Sequence, residues 1–138
     1  MRDRPTPDEL LQGARAVLER DIAPSLQGSA RFSAILVSRA MGVAARALAN
    51  GDVALRAEAQ RLAALLEQPA PAEPAPQAMP ALLEHLNRLL VQRIRAGRFD
   101  DGRARQQLFE HLRQVTMDKL AESNPKYFEW DKAGQAPP

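Results

Sequence analysis

The chain contains no cysteine, which excludes a disulfide framework, a thiolate zinc site and a cysteine nucleophile. Aromatic residues make up only 4% of its 138 residues, so its core has to rest on leucine and alanine, a composition that favours helices over strands. A phosphate loop is missing: Gly97 and Gly102 have no lysine and hydroxyl partner behind them. No serine lies in a nucleophile-elbow pattern, and no acid pair is arranged for glycoside chemistry. Charge of one sign is also scarce. A net charge of +2 does not by itself imply a nucleic-acid partner, and no aromatics are interleaved with the arginines to stack bases. No uninterrupted apolar run approaches the roughly 18 residues of a membrane span. No apolar stretch follows the charged start from Met1 to Pro5. The expectation is a soluble cytoplasmic protein, with no membrane and no nucleic-acid partner.

What is present is helical periodicity. The length fits one helical domain over residues 1–138, large enough to bury a core without staples. Thr6, Pro7 and Glu9 form a capping box, and Leu10, Leu11, Ala14, Val17 and Leu18 share one face of a first helix ending near Ile22, ahead of Pro24. A second helix runs from a Ser29 cap to about Asn50, stopped by Gly51. Its apolar positions, from Phe32, Ile35, Leu36 and Val37 to Val43 and Leu48, cover more than half the circumference, as in a central or shared helix. Asp52 caps a third helix with the stripe Leu55, Ala59, Leu62 and Leu66, and the short break at Gly51 predicts a hairpin of these two helices.

Residues 68–80 hold five of the eleven prolines and read as a Pro-rich, partly extended crossover within the domain. A fourth helix follows Pro80, carries Leu82, Leu83, Leu86, Leu89, Leu90 and Ile94 on its inner face, and ends at Gly97. A fifth starts at Asp100 or Asp101, carries Ala104, Leu108, Phe109, Leu112, Val115 and Leu120, and closes at Asn124-Pro125. The aromatic cluster Tyr127, Phe128 and Trp130 then predicts a tail docked on the bundle, and residues 133–138 read as disordered. The predicted fold is an all-α five-helix bundle of two helical hairpins plus the N-terminal helix.

Two constellations invite a chemical reading. His85 and His111 each follow a glutamate on the flank of a helix, but adjacent residues point about 100° apart, whereas helical di-metal sites set Glu and His three apart. Both therefore read as solvated flank residues, and no metal or cofactor is expected. Arg93 and Arg105 instead fall inside the apolar stripes of the fourth and fifth helices, each about one turn from the connecting turn. Two inward guanidinium groups need a negative partner. Asp21, in mid-stripe on the first helix, is the internal candidate, and an anionic ligand is the external one.

The segments Arg2 to Leu11 and Leu18 to Pro24, the pair Arg31-Phe32, the run Val43 to Arg46 and the closing Asn124 to Tyr127 resemble a family of small all-helical bacterial proteins built on a domain of unknown function. The resemblance spans nearly the whole chain except the Pro-rich stretch, and its motifs are caps and packing positions. Members are often encoded beside aminoglycoside-phosphotransferase-like kinases and acyl-CoA dehydrogenases. This implies a non-enzymatic accessory module for such a protein partner, with the second helix and Tyr127, Phe128 and Trp130 as contact surfaces. The apolar breadth of the second helix also predicts a homodimer. The alternative is a binder of a small anionic or acyl-CoA-like ligand at Arg93 and Arg105.

Overall fold

In a computed structural model, the described residues are 4–69 and 76–128, and among them every regular element is helical. Five α-helices are present: α1 (Pro7–Val17), α2 (Gly28–Asn50), α3 (Val53–Leu65), α4 (Met79–Arg95) and α5 (Gly102–Ser123). They fall into two compact units, Met1–Gly51 and Asp52–Pro138. Residues 1–3, 70–75 and 129–138 lie outside the described residues, so the expectations of a disordered tail and a docked Trp130 do too.

In the first unit Thr6 caps α1 as its spacing predicts. Its N–H donates to Glu9 Oε2 at 2.9 Å, and its hydroxyl donates to Asp8 Oδ1 at 2.6 Å. The helix then widens into a π-turn over Leu18–Ile22, where the Ala23 N–H bonds the Leu18 carbonyl, and tightens to a 3-10 turn over Ala23–Ser25. Pro24 has no N–H to continue the ladder, so the chain changes helical type beside it. α2 begins two residues earlier than the Ser29 cap predicts, with Gln27 at the cap position. α1 packs on α2 through small side chains. The buried residues of α2 are Ala34, Ser38, Gly42 and Ala45, and across them lies Arg15. Its Nε donates to Glu19 Oε1 at 2.9 Å and to Ser38 Oγ at 3.2 Å, and the Ser38 hydroxyl donates to Glu19. A Cβ at Gly42 would stand 2.9 Å from Arg15 Nη1, so glycine there makes room for the guanidinium.

The second unit holds the apolar core. Ala59, Leu62 and Leu66 meet Met79, Leu83, Leu86 and Leu90 of α4, Leu108 of α5, and Phe99 from the turn between them. Leu62, Leu66 and Met79 are fully buried. The five helices are those expected, but loop length alone paired them differently: α1 lies with α2, and α3 packs against both α4 and α5. The stripe of α3 explains this, since Ala59, Leu62 and Ala63 leave it flat enough to take a helix on either side.

Two helix ends in this unit close with the same hydrogen-bond pattern. After α4, the N–H groups of Gly97 and Arg98 bond Ile94 and Arg93, with Gly97 at a φ of 75°. After α3, Glu67 and Gln68 bond Ala64 and Ala63, and Glu67 takes the left-handed position at a φ of 53°. This is the site where helices normally place glycine.

Candidate functional site

Two surfaces stand out, one in each unit. The first is the outer face of α2. Its buried side carries only alanine, serine and glycine, while the large apolar residues point away: Phe32 is 62% exposed, Leu36 48%, Val37 47% and Leu48 53%. On a helical wheel, Phe32, Leu36, Ala40, Val43 and Ala47 line up opposite Ala34, Ser38 and Ala45. This reverses the usual burial of a surface helix. Arg15 of α1 and Glu19 of the π-turn hydrogen-bond with Ser38, which holds the polar and small side of α2 inward. α2 carries Arg31, Arg39 and Arg46 and no acidic residue. By length and composition alone α2 could also cross a bilayer, with 23 residues and a mean hydropathy of 1.4 over its most apolar stretch. Counting only uninterrupted apolar residues had passed it over, because Arg39 and Arg46 interrupt the run.

The second surface is an open groove of about 430 Å³ between α3 and α5, lined by Arg61, Ala64 and Leu65 on one side and Gln107, Glu110, His111 and Gln114 on the other. Arg61 is fixed at its far end: Nη2 donates to Asp118 Oδ2 at 3.0 Å, and Gln114 Nε2 donates to Asp118 Oδ1 at 2.9 Å. His111 is 5% exposed. Two buried nitrogens here, Arg61 Nε and His111 Nδ1, find no hydrogen-bond partner among the described residues. Burial is the main reason the imidazole is held below its ordinary pKa. The Arg61 charge adds to this and Glu58 opposes it.

His111 thus corrects the reading of a solvated flank histidine, whereas His85 is exposed as expected. The correction follows from the rotation of α5. Its inward residues are Leu108 and His111, while Phe109 is 58% exposed and Leu112 44%. A stripe drawn through leucine and phenylalanine placed the buried face one step round the helix. For the same reason Arg105 is not turned inward. It is exposed, stands 5.5 Å over the Phe109 ring and donates to the Asp100 carbonyl at 3.3 Å. Arg105 lines a second open groove with Phe109 and Arg113, and Arg93, half-buried on α4, is not among its lining residues. Asp21 is not an internal partner either, because its carboxylate is half exposed and pairs with Arg20 at 2.7 Å. At the C-terminal end, Tyr127 and Phe128 are half-buried and meet edge to face at 5.8 Å. Among the described residues no group of three or more His, Asp or Glu side chains is placed to hold a metal ion.

A small all-α protein with an outward apolar helix and a polar groove is the class these features define. A family model described as a domain of unknown function, DUF6285, matches residues 24–127, which take in α2 through α5. The chain belongs to that family. Neither a curated protein nor a solved structure matches it.

Proposed function

We propose that this protein is a non-enzymatic interaction module of the cytoplasm, and that the outer face of α2 docks an apolar, acid-rimmed surface of a partner enzyme. The observation that carries the reading is the reversed burial of α2, which leaves Phe32, Leu36, Val37 and Leu48 about half exposed on one helix. Contiguous apolar surface of this kind marks an interaction site. The charge pattern favours a different protein over a second copy. With Arg31 and Arg39 exposed and no acid on the helix, two copies would bring like charges together, whereas carboxylates on a partner would complement them. The resemblance described above supplies the partner class, an acyl-CoA-dehydrogenase-like or phosphotransferase-like enzyme.

Covering the exposed half of each large side chain contributes about 1 kcal/mol, so losing two of them weakens binding roughly thirtyfold. The test is co-expression with each neighbouring enzyme of those two types, followed by size-exclusion chromatography of wild type and of Phe32→Ser/Leu36→Ser. A complex that forms with wild type and is lost in the double variant supports the reading. A complex unaffected by the variant overturns it. So does a wild-type homodimer that the variant dissolves, or binding to anionic lipid vesicles in place of either enzyme.

A further inference from the structure

The α3/α5 groove is independent of the α2 face, and its chemistry points to a ligand. It holds two buried nitrogens that the protein leaves unpartnered, which is uncommon because an unpaired buried donor or acceptor is costly. One belongs to a guanidinium whose other end is already fixed. With Nη2 on Asp118 and Asp118 on Gln114, Arg61 cannot swing to satisfy Nε elsewhere without breaking that chain. The unused Nε–H is therefore a preorganised donor, buried behind the groove wall that Arg61 and His111 help to form. Beside it are the buried His111 ring and, on the same wall, the apolar side chains of Ala64 and Leu65. The volume of about 430 Å³ lies within the usual range for small-molecule sites.

We propose that this groove binds a small aliphatic carboxylate, whose oxygens accept from Arg61 Nε–H and His111 Nδ1–H while its chain lies on Ala64 and Leu65. The charges decide between a carboxylate and a neutral acceptor such as an amide. At the groove, Arg61 is balanced by Asp118 at 3.0 Å, and the lining Glu110 is paired with Arg113, outside the groove, at 3.7 Å. Glu58 also faces His111. A lone anion entering this surrounding would be poorly compensated. His111 resolves that, because a carboxylate beside the imidazole favours its protonated form, so that anion and proton enter together and the net charge of the site is unchanged. An amide gains no such partner. A carboxylate also offers one oxygen to each donor, and its charge strengthens both hydrogen bonds.

The test uses the whole chain and three sodium salts, acetate, butyrate and hexanoate, with hexanamide as the neutral control and sodium chloride at matched ionic strength. NMR follows the Arg61 Nε–H signal and the His111 ring. Hexanoate is expected to shift the Nε–H signal, slow its exchange with solvent and raise the pKa of His111. Affinity should rise about fourfold for each methylene that lies on the apolar wall and should strengthen as pH falls through the histidine range. Arg61→Gln removes the donor. Ala64→Leu, at an exposed position that leaves the Arg61–Asp118 contact in place, blocks the groove and keeps the proposal testable if the first variant does not fold. Both should lose tenfold or more in affinity. Equal shifts with sodium chloride, equal binding of hexanamide, or wild-type affinity in Ala64→Leu overturns the proposal. An Nε–H signal that is already protected and indifferent to every probe overturns it too, since an ordered water then satisfies the site.

Discussion

Replacing His111 with leucine should stabilise this protein, and by more in acid than in weak base. The side chain is 5% exposed and its Nδ1 is unpartnered, so the folded chain carries the cost of a buried polar group without its hydrogen bond, about 1–3 kcal/mol. Leucine removes that cost and adds apolar surface beside Leu108 and Ala104. The change of shape takes back up to about 1.5 kcal/mol. The net expectation at about pH 8 is a gain of roughly 1 kcal/mol, or about 4–8 °C in Tm for a unit the size of Asp52–Pro138. The pH dependence has a definite sign. Burial foremost, and then Arg61, hold the folded imidazole below its ordinary pKa, against the pull of Glu58. The unfolded chain takes up its proton at about 6.5, so below that pH it binds a proton that the folded state refuses, and wild type loses stability. The leucine variant has no such loss, and its advantage therefore widens between about pH 8 and about pH 5. Urea titrations followed by far-UV circular dichroism at both pH values measure the two gaps. A variant less stable than wild type at the higher pH, with no widening in acid, would refute the reasoning, because His111 would then be a satisfied structural residue. A gain would mean that the chain sacrifices stability to keep an imidazole in the groove, as binding residues commonly do.

Further expectations test the rest of the fold. Leu62→Ala removes a fully buried side chain from the face of α3 that meets the core and should cost about 3–4 kcal/mol in urea denaturation, whereas a loss under about 1 kcal/mol would place the core elsewhere. Glu67→Gly should raise stability by up to about 1 kcal/mol, since glycine accepts the left-handed conformation that glutamate holds at a φ of 53°. Its long ion pair with Arg98, at 3.9 Å between exposed groups, offsets little of that gain. The Ser38 hydroxyl, and after it Arg15, hold the Glu19 carboxyl below its ordinary pKa. The stability it contributes to the α1–α2 pairing is present above the ordinary carboxylate range and is lost as pH falls through the lower folded value. Glu19→Gln should flatten this acid limb in a pH titration followed by circular dichroism, and an unchanged limb would mean that the Arg15–Glu19–Ser38 network does not hold α1 to α2.

Much of the secondary structure was legible in the sequence because its signals are local. Thr6 with Pro7 and Glu9, Gly51 followed by Asp52, Gly97, Asp101 and Asn124-Pro125 each set a helix end through the backbone geometry or the hydrogen bond of that residue, and all five helices lie between them. Leu62, Leu66, Leu83, Leu86, Leu90 and Leu108 were also placed on apolar stripes by spacing alone. Phe99, in the turn between α4 and α5, belongs to no stripe and gave no periodic signal, yet it is buried in the core.

Only the tertiary structure decided which way each helix turns and which neighbour it meets. A stripe wider than one contact leaves its rotation open, and packing chooses among nearly equivalent faces. On α5 that choice buried His111 and exposed Phe109 with Arg105, so the arginine pair expected to share an anion did not form and a groove around Arg61 and His111 did. On α2 a polar contact made the choice. Arg15 and Glu19 needed Ser38 and the space over Gly42, and meeting that need turned Phe32 and Leu36 outward. The interacting residues lie 19 and 23 positions apart in the chain, beyond the reach of any helical period, so only the folded arrangement shows that they belong together.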